Sequence, residues 1–144
     1  MKIEDLYDEW KKDSVINETE LGSEAIKLAS LHAKYLTYLS NERRILAQLE
    51  AKSKRLKREK FIMYDQGASE EHRTKDWEFA PGNRTLKANT PLYMDTDREI
   101  VEDNLKVFEQ SEKVEYLEQI IKHIANRGYL IKSAIEWQKY ILGN

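Results

Sequence analysis

Six of the nine residues from Lys52 to Lys60 are cationic: Lys52, Lys54, Arg55, Lys57, Arg58 and Lys60. Phe61, Met63 and Tyr64 follow at once. A row of ammonium and guanidinium groups neutralises a phosphate chain, and aromatic rings beside it offer unstacked bases a surface, so the pattern suits single-stranded nucleic acid better than duplex. The same residue types also make the solvated face of a coiled coil, with Phe61 and Tyr64 in its core. No base-specific signature separates the two readings.

The formal charge of −2 hides a segregation. Residues 43 to 60 carry eight bases (Arg43 and Arg44 in addition to the six above) against Glu50 and Glu59. Residues 1 to 24 and 97 to 120 each carry eight acids against three bases. A local field of this kind steers ligands even when the whole chain is near neutral.

Other chemistry is missing from the sequence. There is no Gly-x-x-x-x-Gly-Lys-[Ser/Thr] loop and no Gly-x-Gly-x-x-Gly, the backbone cradles of nucleotide phosphates, which argues against an ATP-driven motor. His32, His72 and His123 are too far apart to form a paired zinc motif, and each reads as a surface or packing residue. The acids Glu102, Asp103, Glu109, Glu112 and Glu115 do not converge as a metal-dependent nuclease requires; they read as a solvated face or as an acidic docking surface for a basic partner. Trp77, Phe79 and Tyr93, near Arg73, Lys75, Arg84 and Lys87, have the residue types of a second stacking platform, although local core is the commoner fate. With no cysteine, disulfides and thiolate metal sites are excluded. No apolar run approaches the roughly 20 residues that span a bilayer, and the first residues lack the core of a signal peptide, so a soluble cytoplasmic chain is expected.

The elements that must position the basic run are helical. Ile3, Leu6, Tyr7 and Trp10 share one face of a short helix over residues 3 to 12. Thr19 and the acids that follow mark the start of a long helix from about residue 20 to 65, with no proline before Pro81 and no glycine between Gly22 and Gly67. Its stripe runs through Leu21, Ala25, Leu28, Leu31, Tyr35, Leu39, Ile45 or Leu46, Leu49 and Leu56. At 1.5 Å per residue it would be roughly 68 Å long, which implies an arm or contacts with other helices. Gly67 should end it. Residues 67 to 95 read as a loop, or as a small hairpin across 75 to 90 that turns at Pro81-Gly82-Asn83-Arg84.

Thr96 is the expected cap of a second long helix, with a heptad seam at Val107, Val114, Leu117, Ile121 and Ile124, widened by Leu105 and Phe108. Gly128 is expected to end it, and a last helix over 130 to 142 carries Leu130, Ala134, Trp137 and Ile141 on one face. The expected fold is therefore all-α: a long N-terminal helix, a central loop or small hairpin, and a C-terminal helical hairpin that oligomerises. Three regions follow: 1–66 for nucleic-acid binding, 67–95 as linker and 96–144 for oligomerisation. Val114, Leu117, Ile121, Ile124, Leu130, Trp137 and Ile141 are the candidate contacts between copies.

In order along the chain, Glu4-Asp5-Leu6, Lys11-Lys12-Asp13, Leu49-Glu50-Ala51, the basic helix leading into Tyr64 and Gly67, and Arg127-Gly128-Tyr129 with Ile131-Lys132 resemble the UvsY recombination mediators of T-even-like bacteriophages. The resemblance spans almost the whole chain and rests on the order of these segments and the matching length. It implies a protein without catalytic activity or cofactor that binds single-stranded DNA during recombination, repair and replication in the host cytoplasm. The implied partners are the phage recombinase and the phage single-stranded DNA-binding protein, which the mediator helps the recombinase to replace. Ring-like homo-oligomers of roughly six or seven subunits are also implied. The family's basic motif, of the type Leu-Lys-x-Arg-Leu, falls on residues 57 to 61, with Arg58 and Lys60 at its basic positions and Phe61 in place of leucine. Lysine and arginine are exchanged relative to that pattern, which keeps the charge but not the fork geometry. The DNA-binding set expected is Lys52, Lys54, Arg55, Lys57, Arg58, Lys60, Phe61 and Tyr64. The rival reading, from a different class, is a non-catalytic coiled-coil scaffold or adaptor.

Overall fold

The computed structural model describes residues 1–80 and 85–143. Five helices follow one another: α1 (Ile3–Asp13), α2 (Leu21–Gln66), α3 (Glu70–Arg73), α4 (Thr90–Thr96) and α5 (Arg98–Ile141). The described residues contain no strand. The hairpin expected across 75 to 90 is therefore not formed by them, and its turn, residues 81–84, lies outside them.

α1 starts where the Lys2 N–H donates to the Asp5 carboxylate (3.3 Å), satisfying an amide that the first turn leaves open. α2 ends as expected at Gly67, which takes φ 91° while its N–H returns to the Met63 carbonyl (2.9 Å). Only glycine adopts that conformation cheaply. α5 begins one residue later than expected. Asp97 rather than Thr96 is the cap, its Oδ1 accepting the Ile100 N–H at 2.9 Å.

The C-terminal helical hairpin does not form, because α5 runs unbroken through Gly128. A glycine inside a helix costs only about 1 kcal/mol relative to alanine. On either side of it Ile124, Arg127 and Ile131 are buried and hold the same helix to the core. A Cβ at Gly128 would meet Leu28 Cδ1 at 3.8 Å, so the position needs neither a turn nor a left-handed backbone.

The chain divides into two compact units, Met1–Arg43 with Glu112–Asn144, and Arg44–Ser111. This division differs from the three consecutive regions expected, because α2 and α5 each contribute to both units. The first unit buries Leu6, Leu21, Tyr35, Leu39, Val114, Leu117, Ile120, Ile124 and Ile131. Trp10 lies edge-on to Tyr35 and to His123, and Tyr7 edge-on to Tyr116. The buried Arg127 guanidinium donates to the carbonyls of Asp13 and Ser14, binding the negative end of α1. The second unit buries Met63, Tyr64, Ala80 and Ile100, with Trp77, Tyr93 and Met94 packed against Met63, Tyr64 and Ala80.

Candidate nucleic-acid interface

Residues 52 to 64 lie on α2 within the second unit, and helical periodicity sorts them into two sides. Ser53, Lys60, Met63 and Tyr64 are buried and Leu56 half-buried. Lys52, Lys54, Arg55, Lys57, Arg58, Phe61 and Ile62 are exposed, Phe61 by 51%. Lys57 and Arg58 lie one turn before Phe61, and Lys54 two turns before it, so the ring is set among three cations on the helix surface. Lys52, Lys54, Arg55, Lys57 and Arg58 make no ion pair among the described residues.

Lys60 and Tyr64 are where the structure corrects the expected set. Lys60 is 0% exposed, and its ammonium sits 2.9 Å from Asp97 Oδ2 and 2.8 Å from Glu99 Oε1. The Tyr64 hydroxyl donates to the same Asp97 oxygen at 2.6 Å. Burial, and then the hydrogen bond to the Asp97 carboxylate, push the Tyr64 phenol far above its ordinary range. Glu99 is half-buried, which alone would raise its pKa. Hydrogen bonds from Lys60, from the Glu78 N–H (2.7 Å) and from Arg98 Nε (2.9 Å) outweigh that and leave it below the ordinary carboxylate value. A buried ammonium is tolerable only when paired and hydrogen-bonded in this way. Lys60 and Tyr64 are both turned away from solvent and hold α2 to the start of α5.

The same network closes the middle segment. The Arg98 N–H donates to Glu78 (2.8 Å), an Arg98 guanidinium nitrogen to the Asp76 carbonyl (2.7 Å), and the Thr85 N–H to the Tyr64 carbonyl (3.0 Å). Trp77 is covered, with the Lys60 and Lys75 ammoniums 4.4 and 4.3 Å from its ring centre and His72 stacked on it. Tyr93 stacks on Tyr64. Of the three aromatics of the second stacking platform only Phe79 is exposed, and Arg84, one of its expected cations, lies outside the described residues. The three aromatics therefore do not present a joint stacking surface.

The candidate contacts between copies also divide. Val114, Leu117 and Ile124 are buried in the chain's own first unit and Ile121 is half-buried, whereas Leu130, Trp137 and Ile141 are exposed. Leu130 and Trp137 line, with Ile16, Leu21, Ile131 and Ala134, a cleft of about 280 Å³. Ile62 was not among the expected site residues. Its position one turn after Arg58 was the available signal. For Lys60 the signal was its place on the helix among Ser53, Leu56, Met63 and Tyr64.

Fold and surface together define an all-helical protein with a basic, aromatic-bearing helix face. The family model described as "Recombination, repair and ssDNA binding protein UvsY" matches residues 9–144, and the chain belongs to that family. Among solved structures, one crystal form of the bacteriophage T4 recombination mediator protein UvsY matches at a TM-score of 0.85 and 22% identity, over 99% of this chain and 98% of that one. A second crystal form of the T4 protein matches at 0.82 and 24%, over 97% and 99%. At these identities the likeness establishes the fold. No curated protein sequence matches the chain. Among the described residues, no helix is long and apolar enough to cross a membrane, and no cluster of His, Asp or Glu is arranged to hold a metal ion.

Proposed function

We propose that this protein is a recombination mediator that binds single-stranded DNA through the outer face of α2, with Lys52, Lys54, Arg55, Lys57 and Arg58 on phosphates and Phe61 on a base. The observation that carries the reading is that these five cations have no carboxylate partner among the described residues, in a chain of this family. An unpaired cation exchanges only water and counterions when a phosphate arrives, and counterion release then drives binding. Phe61, half exposed among them, adds a stacking surface worth about 1–3 kcal/mol per base.

One helix face binds weakly. In the proposed mechanism, copies join through the exposed end of α5, at Leu130, Trp137 and Ile141, and present several basic faces to one strand. Linked weak sites raise effective concentration and give strong, salt-sensitive avidity. Such an assembly can hold a strand already coated by the phage single-stranded DNA-binding protein, in a form the phage recombinase accepts.

The test is fluorescence anisotropy of a labelled single-stranded oligonucleotide at two salt concentrations, with light scattering of the same samples. Sub-micromolar binding by a multi-subunit species, weakening steeply with salt, is expected. Absence of binding at low salt would favour the scaffold reading instead.

A further inference from the structure

α5 carries, within the second unit, a surface of opposite character to the basic face. Val101, Leu105 and Phe108 recur at four and three residues and are all exposed, the last two by 56% and 60%. Glu102, Glu109 and Glu112 edge this stripe and are all exposed, with the exposed Lys106 among them, and none of the three acids makes a salt bridge among the described residues. Ile100 and Gln110 turn inward on the other side of the helix. An apolar stripe at helical spacing with an acidic border is the surface that receives a basic amphipathic helix.

The matching helix face is on the same chain. Lys54, Arg58, Phe61 and Ile62 combine cations with exposed apolar groups at spacings of four, three and one. Lys54 to Ile62 rises about 12 Å and Val101 to Phe108 about 10 Å, so the two patches are similar in length. They cannot meet within one molecule. The side of α2 that packs on its own α5 is the one bearing Lys60 and Tyr64, bonded to Asp97 and Glu99, and the basic face lies on the outer side of that helix.

We infer that the Val101–Leu105–Phe108 face docks the Lys54–Arg58–Phe61 face of a second copy, so that self-docking and single-stranded DNA compete for the same cations. The inference rests on the strand-binding role proposed for that basic face. The contact joins unlike faces, so it either closes reciprocally in a pair or repeats from copy to copy. Two helix turns against two fall well short of the roughly 1,200 Å² of a stable interface. A strand that engages several cations at once can therefore displace it. The device keeps basic faces covered in the absence of DNA and releases them to it.

The test exploits the absence of cysteine from the chain. One preparation carries Ile62→Cys and another, of different mass, carries Leu105→Cys; the two are mixed and mildly oxidised. The expected result is a mixed disulfide several-fold more abundant than with Thr37→Cys, on an exposed position of the first unit, in place of Leu105→Cys. An oligonucleotide should suppress it several-fold. Charge reversal supplies the second measurement: E102K/E109K in the Leu105→Cys chain should abolish the mixed disulfide, and adding K54E/R58E to the Ile62→Cys chain should restore it. A mixed disulfide no more abundant than the Thr37→Cys control, in a protein that binds the oligonucleotide, would overturn the inference. A specific mixed disulfide in a protein that binds no oligonucleotide would sustain the docking but overturn the competition and, separately, the strand-binding role.

Discussion

The two halves of α2 are built from the same residue types and treat their cations in opposite ways. In the half belonging to the first unit every lysine and arginine has a carboxylate partner: Lys27 with Glu24 (3.4 Å), Lys34 with Glu9 and Asp13 (both 2.7 Å), and Arg43 with Glu118 (2.9 Å). In the half belonging to the second unit Lys60 is paired twice, while Lys52, Lys54, Arg55, Lys57 and Arg58 have no such partner among the described residues. Charge composition alone does not show which cations are available to a ligand. What decides is whether the fold brings a carboxylate within reach.

The contrast is sharpest between neighbours. Lys60→Ala or Asp97→Ala should destabilise the protein by about 3–5 kcal/mol, because either leaves a buried charge without its partner. Thermal melting should show a large downward shift for both. Arg58→Ala should leave the melting temperature nearly unchanged. A Lys60 variant that melts like wild type would dissolve the distinction between the two sets.

Removing Lys54 and Arg58 together should act on the ligand instead of the fold. Two lost phosphate contacts should reduce the slope of log affinity against log salt by about 1.4 for single strands. Anisotropy titrations over a salt series measure that slope, with circular dichroism checking that helix content is kept.

Both units should weaken in acid, from the same cause. Asp13 is half-buried, which raises its pKa, but hydrogen bonds from Lys34 and Tyr35 prevail and hold it below the ordinary value; Glu99 is lowered likewise. A carboxylate with a depressed folded-state pKa contributes stability that is full above its unfolded value and is lost as pH falls through the folded one. Melting temperature should therefore hold at neutral pH and decline below the ordinary carboxylate range. Asp13→Asn should flatten part of that decline.

The smallest expected effect is at Gly128. Alanine there meets only ordinary contact with Leu28 and removes a mid-helix glycine, so Gly128→Ala should stabilise by about 0.5–1 kcal/mol in a denaturant titration. A loss of stability there would contradict the unbroken helix through Gly128.

Much of this was legible in the sequence where local rules act alone. The spacing of Ile3, Leu6 and Trp10 gave α1, and Gly67 set the end of α2 because a left-handed residue ends a helix whatever surrounds it. At Gly128 the same residue type misled: the burial of Ile124, Arg127 and Ile131 outweighs a small local penalty, and no window of sequence contains that burial. Leu105 and Phe108, expected to widen the seam, face outward. The basic run was legible as a surface but not residue by residue, since the partner that takes Lys60 inward is Asp97, far along the chain. Only the helical position of Lys60, in line with Ser53, Leu56, Met63 and Tyr64, carried a hint.

The division of the basic run is tested most directly by lysine-selective acylation read by mass spectrometry, with and without a single-stranded oligonucleotide. Lys52, Lys54 and Lys57, covered by no more than the weak contact between copies, should react far faster than Lys60 in the free protein and become protected when the strand is bound, while Lys60 should stay unreactive in both samples. A Lys60 that reacts in the free protein and is protected by the strand, beside lysines 52, 54 and 57 that the strand leaves reactive, would contradict the account.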